Sequence, residues 1–142
     1  MGSRGGVFAV DYLVASPFGA STNICVLDAD RGLPVCGTYR GPNTLWPALG
    51  RLVRGREEIA VVNTHADWDH VWGTCLFADA RIIGHRLCRD RLMAIGPMDL
   101  AEYAGRQRGE VRLLPPTVPF GDRLDLPEFD AELFFSPGHT YL

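Results

Sequence analysis

With 142 residues, 46% of them hydrophobic and 22% charged, the chain is the size of one domain with a sizeable core, which excludes disorder, collagen and coiled coil. Its 17 acidic and 14 basic residues give a net charge of −3, and no Lys/Arg run is interleaved with aromatics, so nothing indicates a nucleic-acid partner. The apolar run near the start is broken at Asp11, too short for a signal-peptide core or a bilayer span, which predicts a cytoplasmic protein with no membrane partner.

Residues 6–14 and 23–28 are rich in β-branched and aromatic types and predict two antiparallel strands. Arg31 and Gly32 read as a turn before a third apolar stretch, Leu33–Thr38, which ends in the loop Arg40–Asn43. Asn43 suits an N-cap, and Leu45, Trp46, Leu49, Leu52 and Val53 recur at one-face spacing, so an amphipathic helix is expected over 44–54, closed by Gly55. Glu58–Thr64 is a compact apolar strand. Beyond it the sequence predicts a helix at Val71–Ala78, a short strand at Arg81–His85, and one or two helices over 86–105 interrupted at Gly96-Pro97. Val111–Leu114, Asp122–Leu126 and Glu132–Ser136 read as strands separated by prolines. The whole is a single mixed α/β domain over residues 1–142.

The chemistry concentrates between the strand at 58–64 and the next helix. His65, Asp67 and Asp69 alternate there, and His70 adjoins them. Neutral His and ionised Asp bind divalent metals, and alternation in an extended segment turns 65, 67 and 69 to one side. The plainer explanation is that Asp67 or Asp69 caps the following helix. A second segment, Phe135-Ser-Pro-Gly-His-Thr140, offers His139 in a Pro-Gly turn after a strand, as a ligand from elsewhere in the chain.

Together, Thr64-His-Ala-Asp-Trp-Asp-His70 and Ser136-Pro-Gly-His-Thr140 resemble the two best-known ligand segments of the metallo-β-lactamase superfamily, His-x-His-x-Asp-His and Pro-Gly-His-Thr. Asn23–Leu27, Val61–His65 and Phe120–Leu124 agree with the resemblance. It implies an αββα sandwich and a small-molecule hydrolase holding one or two zinc ions. His65, the residue at 67 and His139 would serve the first metal, and Asp69 and His70 the second. Hydroxide activated by the metal would attack an ester, thioester, lactone, amide or phosphodiester, with Asp69 orienting the water and handling its proton.

Three departures from the family pattern qualify that expectation. Asp67 stands where the family usually has His, which adds negative charge and makes iron or manganese more competitive. Gly37 stands where an Asp before Thr38 usually supports the metal loop from behind, a loss that commonly costs about 10–100-fold in affinity or activity. The sequence given stops two residues after Thr140, which predicts a fold lacking its carboxyl-terminal part, a bridging Asp and a final His, and a sheet edge open to self-association. Two other readings fit these residues: a truncated, non-catalytic metal-binding remnant, and an iron-dependent redox or dioxygenase-like member.

The remaining candidates have ordinary explanations. Cys25, Cys36, Cys75 and Cys88 form no Cys-x-x-Cys pair and are expected to be reduced and mostly buried. His85 reads as a loop histidine, Trp46 and Trp72 as core, and Arg86, Arg89 and Arg91 as the solvated side of a helix. Trp68 would either wall a pocket or pack on the next helix.

Overall fold

The computed structural model describes residues 6–12, 22–28, 32–38, 40–43, 46, 54 and 58–138. Six strands form one mixed sheet in sequence order: β1 (Gly6–Tyr12), β2 (Thr22–Asp28), β3 (Gly32–Cys36), β4 (Glu58–Asn63), β5 (Arg81–His85) and β6 (Val118–Phe120). The first three pair antiparallel, as adjacent hairpin-like runs do, and β3 to β6 pair parallel through longer crossovers. A second sheet joins β7 (Arg123–Leu126) to β8 (Ala131–Phe134), through a 3-10 turn at Pro127–Phe129 and Asp130 in the left-handed region.

Parallel strands covered on both faces are apolar over most of their length, and β4 fits: Ile59–Val62 are apolar, and residues 60–63 are all buried. One face of the sheet presents Ala60, Val62 and Ile83 to Leu126 and Phe129 of the β7–β8 unit. The other presents Val35, Val61 and Ile82, all essentially inaccessible. Each such residue contributes roughly 1.5–3 kcal/mol through burial. A second cluster, of Ala66, Val71, Trp72, Cys88 and Leu92, joins the segment after β4 to the long helix α2 (Arg86–Glu102). Between them lie the short helix α1 (Trp68–Val71) and a 3-10 turn, Trp72–Phe77. Among the described residues no helix is long and apolar enough to cross a membrane.

Several local expectations are corrected. The helix expected at Val71–Ala78 starts three residues earlier and tightens to 3-10 at Trp72, where Gly73 and Thr74 are poor α-formers. α2 runs unbroken through Gly96-Pro97, because Pro97 is exposed and water can serve the carbonyl it leaves unbonded. Val111–Leu114 is not a strand: Val111 and Leu113 pack under α2 instead, and the chain joins the sheet only at Thr117, whose N–H donates to the Ile82 carbonyl at 2.8 Å. β6 contains Pro119, which an edge strand tolerates. Trp46 is 45% exposed, not core, and Arg54 lies over its ring. The rest of the helix expected at 44–54 lies outside the described residues.

Candidate metal centre

β4 delivers the chain to its carboxyl end at Asn63, and the ligand loop follows at once. Ala66, 1% exposed, is the loop's apolar anchor in the cluster under α2. Fixing Ala66 inward leaves His65 and Asp67 to turn the other way. His65 is itself buried, its Nδ1 2.9 Å from the Thr64 hydroxyl, and its Nε2 lies 3.7 Å from Asp67 Oδ2. His70 Nε2 lies 3.5 Å from Asp69 Oδ2, and the His65 and His70 rings stand 4.1 Å apart at 50°.

Helix capping does not explain Asp67. It occupies the N-cap position of α1 with extended backbone, yet its side chain makes no capping bond. The carboxylate faces His65 on one side and the Arg91 guanidinium of α2, 4.0 Å away, on the other.

Donors bound at about 2.1 Å in a tetrahedral site sit about 3.4 Å apart. The His65–Asp67 and His70–Asp69 separations of 3.7 and 3.5 Å are close to that edge length, so both pairs suit a zinc ion. Among the described residues no group of three or more His, Cys, Asp or Glu converges into a metal cage. His139 lies outside the described residues. The segment leading to it is described: Phe135 and Ser136 line a cavity of about 300 Å³ together with Asn63 and Thr64, the residues that precede His65. β4 and β8 thus bring Asn63 and Thr64, which precede the loop, and Phe135 and Ser136 to one cavity.

The surroundings of the loop hold features that sequence reasoning missed. Arg91, expected to be solvated, is half-buried against Asp67; burial raises the Asp99 carboxyl, with Arg91 opposing the rise and Asp67 adding to it. The signal was available, since Cys88, Arg91, Leu92 and Asp99 fall on one helical stripe. Burial, reinforced by Asp67, pushes the Cys88 thiol up to about 12. Trp68 packs between Trp72 and Tyr103, stacked on the latter at 5.1 Å, with Arg106 over its ring. His85 is not a loop residue but a buried helix cap: its Nδ1 accepts the Leu87 N–H at 3.2 Å, and its ring stacks on Phe135 at 4.1 Å.

The profile of the metallo-beta-lactamase superfamily matches residues 39–141, well over half of the chain. No curated protein matches it. Solved structures share its fold at low identity. TMB-1 is 13% identical with a TM-score of 0.60, over 95% of this chain and 60% of that one. DIM-1 metallo-beta-lactamase, exposed to ceftazidime, is 14% identical with a TM-score of 0.63, over 94% and 58%. A metallo-beta-lactamase family protein of Thermus thermophilus is 18% identical with a TM-score of 0.57, over 91% and 50%. The chain therefore spans 50 to 60% of the length of these three relatives. From the ligand-loop motif, its place at the end of β4 and the profile match, the chain belongs to the metallo-beta-lactamase superfamily.

Proposed function

We propose that this chain carries the ligand loop of a zinc-dependent hydrolase acting on a small-molecule ester, thioester, lactone, amide or phosphodiester. The observation that carries the reading is the pairing of donors at ligand spacing, His65 with Asp67 and Asp69 with His70, in the loop that directly follows the cavity-lining residues Asn63 and Thr64. Zinc held by His65, Asp67 and His139, with Asp69 and His70 available to a second ion, would supply a Lewis acid and an acidified water at neutral pH.

The chain's own residues have distinct tasks in this reading. The Thr64 hydroxyl engages His65 Nδ1 and so fixes the ring with Nε2 towards Asp67. Asp69, the proposed catalytic residue, orients the attacking water and accepts its proton. Asp67 makes the first site more anionic than a third imidazole would, and Arg91 offsets part of that charge. An oxygen donor at 67 also suits iron or manganese, which makes an iron-dependent member the second reading.

Hydrolysis of p-nitrophenyl acetate, a thioester, a lactone and bis(p-nitrophenyl) phosphate, measured after loading with zinc, iron or manganese, tests the proposal. Zinc-dependent turnover of at least one substrate that disappears in Asp69→Ala supports it. Turnover by none of them, or turnover indifferent to Asp69→Ala, removes it.

A further inference from the structure

Behind the ligand loop lies a buried polar chain that neither capping nor metal binding explains. Thr38 and Thr74 are fully buried and Asn63 is 2% exposed. Gly37, with a φ of 81° that disfavours any side chain, donates its N–H to the Val62 carbonyl and turns the strand towards the loop. Thr38 then directs both its donors at one acceptor, the backbone carbonyl of His70: its N–H at 2.8 Å and its hydroxyl at 3.0 Å. The Thr38 and Thr74 hydroxyls are 2.9 Å apart, and the Thr74 hydroxyl is 3.2 Å from Asn63 Oδ1.

Proton counting orders this chain. Two hydroxyls carry two protons, but with the Asn63 oxygen facing Thr74 they face three contacts: His70 O, each other, and Asn63 Oδ1. One contact would then set lone pair against lone pair. That orientation also leaves Asn63 Nδ2, with two protons, buried and without a hydrogen-bond partner among the described residues. Turning the amide over removes the conflict, since its O and N are interchangeable by shape. Asn63 Nδ2 then donates to Thr74, Thr74 to Thr38, and Thr38 to the His70 carbonyl, with every contact served by one proton.

Resting on the metal-loop reading above, we propose that Asn63, Thr74 and Thr38 form a one-way hydrogen-bond relay that positions His70. The three are positioning residues. Asn63 ends β4, Thr74 lies in the 3-10 turn and Thr38 follows β3, so the relay fixes the loop's exit to three elements of the core.

The test uses the whole chain and reads two quantities. Amide hydrogen exchange of the peptide covering residues 64–71, without metal, reports the loop's hold, and titration with zinc chloride alone reports the metal site. Thr38→Val and Thr74→Val keep the shape and remove the hydroxyl. Each is expected to speed exchange of this peptide about fivefold or more and to weaken zinc binding about tenfold, with Thr→Ser at either position restoring both to near wild type. If a Val variant does not fold, Thr→Cys at that position, with its weak donor, carries the same comparison against Thr→Ser. Unchanged exchange in the Val variants overturns the relay, as does faster exchange with undiminished zinc affinity. Faster exchange in a chain that binds no zinc even as wild type upholds the relay and removes the hydrolase reading instead.

Discussion

Acidifying the protein should weaken it through His85. The ring is 6% exposed and its Nδ1 accepts the Leu87 N–H that opens α2, which only a ring unprotonated at that nitrogen can do. Burial lowers its pKa first, and Arg86 lowers it further, against smaller opposing effects of Asp122 and the Gly121 carbonyl. A histidine whose folded pKa lies below its unfolded value of 6.5 takes up protons preferentially on unfolding. Its contribution is therefore fully present above pH 6.5 and is lost as pH falls from there through the folded value. His85→Phe keeps the aromatic packing on Phe135 and Phe120 but removes the cap acceptor. Losing the cap and stranding the Leu87 N–H should make the variant less stable by about 1 kcal/mol at pH 7.5. Urea denaturation at pH 7.5 and 5.5 makes the comparison. Wild type should lose more stability than the variant between the two pH values, narrowing the gap between them. Equal losses in both proteins would refute the assignment of His85 as a neutral buried cap.

Three further outcomes follow from named contacts. A Cβ on Gly41 would overlap the Arg108 carbonyl, in the pairing that joins Arg40 and Asn43 to Arg108, so Gly41→Ala should cost about 2–4 kcal/mol in urea unfolding. Cys88, buried and with a pKa of about 12, should resist iodoacetamide at pH 8 in the native protein and react promptly in 6 M guanidinium, about the concentration that unfolds most domains; native labelling at the denatured rate would contradict the burial. Arg91 would compete with a cation bound at Asp67, and a half-exposed pair of this kind is worth about 1 kcal/mol at most. Arg91→Met should therefore tighten zinc binding by roughly twofold to fivefold in calorimetry, and a tenfold loss would show that Arg91 builds the site instead.

The parts of this molecule that were legible in the sequence are those set by local pattern. The apolar run of β4 and the ligand motif directly after it needed no tertiary information, nor did the strand at Arg81–His85. What escaped depends on neighbours far away in the chain. Val111 and Leu113 have strand-like spacing, but the position beside β5 is taken by β6, so they pack under α2. Pro119 reads as a break until β6 is known to be an edge. Arg91 reads as solvated until α2 is laid against Asp67, and Asn63, Thr74 and Thr38 become one unit only when three separate elements meet. Of the candidate ligands, the four in the loop are local to one another, and the approach to His139, at Phe135 and Ser136, lines a cavity with Asn63 and Thr64, which precede the loop.

Zinc equivalents bound by the purified chain after equilibrium dialysis test the central claim most directly. Wild type should retain at least about one equivalent, and His65→Ala, His70→Ala and His139→Ala should each lower it, with His65→Ala falling below about 0.2. Wild-type zinc below about 0.2 equivalents, or binding untouched by all three substitutions, would contradict a metal centre built from this loop.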